Sequence, residues 1–177
     1  MRFNAIIDRF SYIVRGQFYG HRHSDHIAFN PRLKDISNIE NATLSNYYLV
    51  APSLTTYENR EPEYRVMEID YDTLQVLDFQ QYRLDLKKYT SKDQNPAFEI
   101  LYSFKESYGI KDMSIEGGIT ELRNKLRDNP ETQKIYTQHQ CGGLCEGYSN
   151  RTAFCDTTTS KQFKDECNGK AYKKSFF

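Results

Sequence analysis

The chain of 177 residues has no tryptophan, no surplus of either charge and no long apolar run. Without tryptophan, 14 tyrosines and 11 phenylalanines carry much of the apolar mass. Lysine plus arginine and aspartate plus glutamate balance at 24 each, which gives no electrostatic reason to expect a nucleic-acid partner. No stretch approaches the ~20 apolar residues that a membrane span requires. Residues 1–9 contain an acid and no adequate apolar core, so they do not read as a secretion signal. Internal repeats and low-complexity tracts are missing too. The basic tail at residues 170–174 is short and reads as a frayed, solvated end. At 38 % hydrophobic and 27 % charged residues the chain is polar yet able to bury a core, and its length suits one full domain or two small ones.

Cysteine is absent from the first 140 residues and then appears four times, at Cys141, Cys145, Cys155 and Cys167. Four thiols allow three pairings. A zinc site is a rival use, although Gly142-Gly143-Leu144 between the first two suits a small disulfide loop at least as well. Sequons stand at Asn41-Ala42-Thr43 and Asn150-Arg151-Thr152, making Asn41 and Asn150 candidate glycosylation sites. Cysteines and sequons together favour an oxidising, extracytoplasmic home. Such a home without a leader implies that the N-terminal part of the protein is missing from this sequence.

The patterning changes along the chain. Residues 13–19 and 47–50 read as strands, and residues 64–69 and 74–79 as a hairpin around Asp70-Tyr71-Asp72-Thr73. Residues 53–62 form a polar loop. A charged linker follows over residues 87–95. Asn95-Pro96 then predicts a capped helix carrying Ala97, Ile100, Leu101, Phe104 and Tyr108 at helical spacing, stopped by Gly109. Ser114 predicts the cap of a second helix with Ile115, Ile119, Leu122 and Leu126 on one face, which Gly117 and Gly118 should weaken by ~1 kcal/mol each relative to alanine. Asn129-Pro130 introduces a third, short helix through Ile135 and Tyr136. The fold class is therefore α/β, β-rich over residues 1–86 and helical over 87–177. The sheet half has few strands, and buried strands need cover on both faces, so it is expected to pack against chain not present here.

Gly20-His21-Arg22-His23-Ser24-Asp25, after the apolar run that ends in Phe18-Tyr19, carries the chemistry. Two imidazoles at i and i+2 of an extended backbone point to the same side. Gly20 would remove a side chain that crowds whatever those rings hold. Neutral imidazole is the commonest side-chain ligand for zinc, and two adjacent rings suit two metal ions ~3.5–4 Å apart that clamp a reacting phosphoryl group. Two histidines are too few for two metals. Asp8, Asp25, His26 and His139 are the other polar candidates, and nothing in their spacing makes them converge. A pair of hydrogen-bonded loop histidines accounts for the spacing as well.

The stretch Gly16-Gln17-Phe18-Tyr19-Gly20-His21-Arg22-His23-Ser24-Asp25 resembles the last metal-binding motif of calcineurin-like metallophosphoesterases, in the form typical of acid sphingomyelinases. Further segments in the same order strengthen the match. They are Ala51-Pro52-Ser53-Leu54-Thr55-Thr56-Tyr57, then Pro62 and Tyr64-Arg65-Val66, Val76-Leu77-Asp78 through Tyr82, Leu84 and Leu86, Leu101-Tyr102, and Glu106-Ser107-Tyr108-Gly109. The resemblance implies the C-terminal part of a metallophosphoesterase β-sandwich over residues 1–86, followed by a small disulfide-tied helical domain over 87–177. It implies that His21 and His23 each ligate one of two zinc ions. It places Tyr57 in the substrate pocket, where an aromatic face could meet a choline headgroup. It also implies the disulfides Cys141–Cys145 and Cys155–Cys167, and an extracellular or lysosomal location. The family hydrolyses sphingomyelin to ceramide and phosphocholine, with peripheral contact to a membrane surface; close relatives act on nucleotides or other phosphodiesters.

Departures from the family pattern bear on function. Arg22 stands where a small hydroxyl residue is common, His26 replaces a frequent acid, and Glu61 and Glu63 replace the usual Asn and Gly around Pro62. The upstream Asp-x-His, Gly-Asp and Gly-Asn-His-Asp/Glu motifs do not occur, nor does a saposin-like region. They would supply the bridging aspartate, most terminal ligands and the catalytic acid. The 177-residue chain alone is thus expected to bind zinc weakly and to turn over phosphodiesters negligibly. A different class of protein, a non-catalytic secreted interaction module, remains the alternative.

Overall fold

A computed structural model describes residues 2–89, 91, 95–147, 149, 151–159, 164 and 167. The fold is α/β, as the sequence implies. It opens with helix α1 (Arg2–Arg9), which buries Ile7 and leaves Phe3 and Ile6 exposed. Asp8 ties its end to the following chain by an ion pair to Arg32 at 3.1 Å and by accepting the Leu33 N–H at 2.9 Å. The helix passes into turns, with the Ile13 and Val14 N–H groups both bonded to the Phe10 carbonyl. The strand expected over residues 13–19 accordingly shrinks to β1 (Phe18–Tyr19).

The first sheet has the order β1-β3-β2, with β1 parallel to β3 (Leu44–Val50) and β2 (His26–Pro31) antiparallel to it. Every residue of β2 is buried, although His26 and Asn30 are polar. Burial is tolerable because a buried polar group needs only a partner. The Gln17 amide donates to Asn30 Oδ1 at 3.1 Å and to Asn46 Oδ1 at 2.9 Å.

The second sheet is an antiparallel meander of β4 (Glu63–Ile69), β5 (Val76–Arg83) and β6 (Glu99–Ser103). The β4–β5 hairpin is the one expected, its turn pinned by Asp70 Oδ1 accepting the Thr73 N–H at 2.7 Å. The helix expected from Asn95 is instead β6 followed by a short helix, α2 (Phe104–Tyr108). Residues 99–103 satisfy the edge of β5, with Ile100 outward and Tyr102 buried, and this alternation prevails over the helical spacing. Gly109 does stop α2, in the left-handed conformation with φ +59°.

Ser114 caps the next helical turns by accepting the Gly117 N–H. They lead from Ile115–Ile119 into α3 (Thr120–Asp128). Gly118 is required there, since a Cβ would lie 1.7 Å from the Asp112 carbonyl oxygen. Asn129 caps α4 (Pro130–Gln140) through the Glu131 and Thr132 N–H groups. A last helix, α5 (Arg151–Asp156), carries Cys155. One cluster of buried residues joins the parts: Phe29 and Leu49 from the first sheet, Phe79 and Tyr102 from the second, and Leu122, Tyr136 and Phe154 from the helices. Both disulfides are formed, Cys141–Cys145 and Cys155–Cys167. Asn41 is exposed, while Asn150 and the tail at residues 170–174 lie outside the described residues.

Candidate metal centre

The loop from Gly20 to Asp25 joins β1 to β2, so the pairing of both strands with β3 fixes its two ends. Its backbone is not extended. His21 and His23 both take positive φ, 75° and 56°. Strand alternation therefore does not set the direction of the two rings; consecutive tight turns of the loop do. Gly20 is not relieving a crowded spot either, because a Cβ there would meet nothing within 4 Å. His21 is exposed. His23 is half-buried and meets the Tyr57 ring edge-to-face at 5.4 Å. Tyr57 itself is 65 % exposed. Tyr57 and His23 thus lie side by side.

Asp25 ends the loop and anchors it. Its carboxylate pairs with Arg65 Nη2 at 2.7 Å and accepts a hydrogen bond from the Tyr102 hydroxyl. The Arg65 side chain is 2 % exposed and its guanidinium lies 3.8 Å from the Phe79 ring centroid. Burial alone would lower the Arg65 pKa; the Asp25 carboxylate, with Tyr102 and Tyr108, offsets this and holds it above the ordinary value. Arg65 Nε donates to Gln81 at 2.9 Å, and the Gln81 amide donates in turn to Glu63 at 3.2 Å. Burial, then the nearby Asp25 charge, lifts the Glu63 carboxyl to about 7. Nothing in the sequence beyond the β-period of residues 63–69 and 76–83 marked Arg65, Gln81 and Tyr102 as parts of one network.

The remaining candidates are used elsewhere. His26 lies 2.7 Å from the Tyr136 hydroxyl, and His139 stacks on Tyr102 at 3.6 Å with the Tyr108 hydroxyl at 3.1 Å. Burial pushes both imidazoles down to about 4, so both are neutral at pH 7. Asp8 is held by Arg32 and the Leu33 amide. Glu61 pairs with Arg83 at 3.1 Å, and Arg83 also donates to the Gly142 carbonyl at 2.7 Å, docking the Cys141–Cys145 loop on the second sheet. Among the described residues no group of three or more His, Cys, Asp or Glu is gathered to hold a metal ion. His21 and His23 are imidazoles on one loop, and among the described residues they do not make a complete centre.

The loop thus carries one exposed imidazole and one half-buried against Tyr57, tied beneath to a buried ion pair. By sequence the chain is a relative of the sphingomyelin phosphodiesterases, matching a portion of them. It is 32 % identical over 168 residues to sphingomyelin phosphodiesterase 1 of Caenorhabditis elegans, covering 86 % of this chain and 29 % of that protein. It is 33 % identical over 175 residues to sphingomyelin phosphodiesterase A of Dictyostelium discoideum, covering 94 % and 28 %. A human cyclic GMP-AMP phosphodiesterase is 26 % identical over 117 residues, covering 63 % and 24 %. The chain spans less than a third of the length of these curated relatives. No family model matches it. No helix among the described residues is long and apolar enough to cross a membrane.

Proposed function

We propose that this chain is part of a metal-dependent phosphoric diester hydrolase of the sphingomyelin phosphodiesterase type. His21 and His23 are two of the donors to a two-zinc centre whose other ligands come from polypeptide outside this sequence. When bound, the metals would supply a Lewis acid and an activated water for attack at phosphorus. The chain's own part is to present the two rings from a loop fixed by Asp25, and to place the Tyr57 face beside His23 where a substrate headgroup can lie. Residues 1–86 are then the end of the metallophosphoesterase domain, and residues 87–177, which lend β6 to its second sheet, its disulfide-tied and otherwise helical companion. Sphingomyelin is the favoured substrate, the location is extracellular or lysosomal, and Asn41 and Asn150 are glycan acceptors.

The observation that carries this reading is the sequence match over 86–94 % of the chain to two sphingomyelin phosphodiesterases. The weaker match to a cyclic GMP-AMP phosphodiesterase favours, as second reading, a nucleotide-type phosphodiester. The test is the gene upstream of Met1. In-frame codons for Asp-x-His and Gly-Asn-His-Asp/Glu should be found, and the longer protein should cleave sphingomyelin with zinc and lose that activity on His21→Ala or His23→Ala. A stop codon with an independent promoter would overturn the reading, leaving a non-catalytic secreted module. The 177-residue chain alone should show negligible turnover.

A further inference from the structure

We propose that the chain carries a second anion subsite beside the histidine loop, in which Arg22 and Lys164 hold a negatively charged group whose flat or apolar body lies against Tyr19 and Tyr48. As a substrate subsite it rests on the phosphodiesterase reading; as an anion site it does not. A cavity of about 580 Å³ opens next to the loop, within the range of small-molecule sites. Gly20 and Arg22, which flank His21, form part of its wall. Tyr19 and Tyr48 meet edge-to-face at 5.3 Å in that wall, and Phe3 and Val50 extend it. Tyr57 is not part of it.

Among the described residues the charge lining this cavity is of one sign: Arg22 and Lys164 line it and no carboxylate does. Lys164 lies 3.0 Å from Asp156, which compensates part of its charge. Arg22 has no ion-pair partner among the described residues, so it dominates the field. Among the described residues, Asp25 is committed to Arg65 and Asp156 to Lys164. His26, behind the wall, reports the same arrangement: after burial, Arg22 and then Lys164 are the largest causes of its lowered pKa. Each cation alone at an exposed site would contribute little. Together, with Asp156 offsetting only part of the Lys164 charge, they leave a net positive potential on the cavity wall. Such a potential repels a trimethylammonium head and attracts a phosphate. The ligand class is therefore an anionic phosphate ester without a cationic head, carried on an aromatic or acyl body.

The test titrates the 177-residue chain in the presence of EDTA, so that metal plays no part and failure of the metal centre is a separate result. The probes are 4-nitrophenyl phosphate and phosphocholine, followed by calorimetry or chemical shift. The aromatic phosphate should bind at least about tenfold more tightly, and Arg22→Gln should remove most of that preference. Lys164→Gln should remove a smaller part. Adenosine monophosphate and dihexanoyl phosphatidic acid, run in parallel, assign the body to a flat ring or to an acyl chain by which binds more tightly. Equal binding of 4-nitrophenyl phosphate and phosphocholine overturns the proposal, as does a preference unchanged in Arg22→Gln. Arg22 is exposed, and melting within a few degrees of the parent shows that its variant is folded.

Discussion

Asp25 shows what a single position does for this loop. A carboxylate two residues past a histidine could bind metal, orient the ring or simply face water, and the sequence does not choose among these. The fold does, because β4 brings Arg65 and β6 brings Tyr102 against it. Removing one partner of a buried ion pair leaves the other charge uncompensated, which costs about 3–5 kcal/mol. Asp25→Ala should therefore lower the urea-unfolding free energy by that amount, whereas Tyr102→Phe, which removes one hydrogen bond to a charged group, should lower it by ~1.5–3 kcal/mol. A loss below ~1 kcal/mol for Asp25→Ala would mean that the pair does not anchor the loop. His26 and His139 were open candidates on sequence for a related reason. A lone histidine carries no mark of whether its environment will be a metal or a tyrosine hydroxyl, and here it is Tyr136 and Tyr108.

Among the elements, those signalled by local chemistry were legible. Ser114 and Asn129 cap their helices, Gly109 ends one, and Asp70 turns the hairpin, because each acts on backbone groups within a few residues. β2 and β6 were not legible. β2 lacks alternation, since its polar residues find partners on Asn4, Gln17 and Tyr136, far away in sequence. Residues 99–103 carry both periods, and only the open edge of β5 decides between them. The glycines divide in the same way. Gly118→Ala places a Cβ inside the Asp112 carbonyl, and should destabilise by more than ~2 kcal/mol rather than stabilise as helix propensity would have it. Gly20→Ala meets open space and should change the unfolding free energy by less than ~0.5 kcal/mol. Thermal or urea unfolding of the two variants checks the pair.

Across the whole molecule, three buried groups, His26, His139 and Glu63, tie stability to pH between about 4 and 7. His26 and His139 titrate at about 4 when folded and near 6.5 when unfolded, so their contribution is present above ~6.5 and is lost as pH falls toward 4. Glu63 works in the opposite direction. Its folded value of about 7 lies above the ordinary 4.5, so its contribution is present below ~4.5 and is lost as pH rises through 7. Near pH 5 the unfolded chain thus binds about one proton more, and stability should rise by roughly 1.4 kcal/mol per pH unit there, flattening to a maximum near pH 7. Glu63→Gln should roughly double that slope; an unchanged slope contradicts the balance. The disulfides act at the same scale. Opening Cys155–Cys167, which closes a separation of 12 residues, should cost about 3 kcal/mol, and more than opening Cys141–Cys145, with a separation of 4. The central claim is that the two histidines of the loop between β1 and β2 are the metal donors of this chain, while those of the core are not. Proton NMR of the four imidazoles during addition of cobalt(II) tests it most directly. The His21 and His23 ring signals should shift or broaden together at the lowest metal concentrations that have any effect, with His26 and His139 unmoved. If the His26 or His139 signals respond first, or if His21 and His23 stay sharp while metal binds elsewhere, the assignment of the loop is wrong.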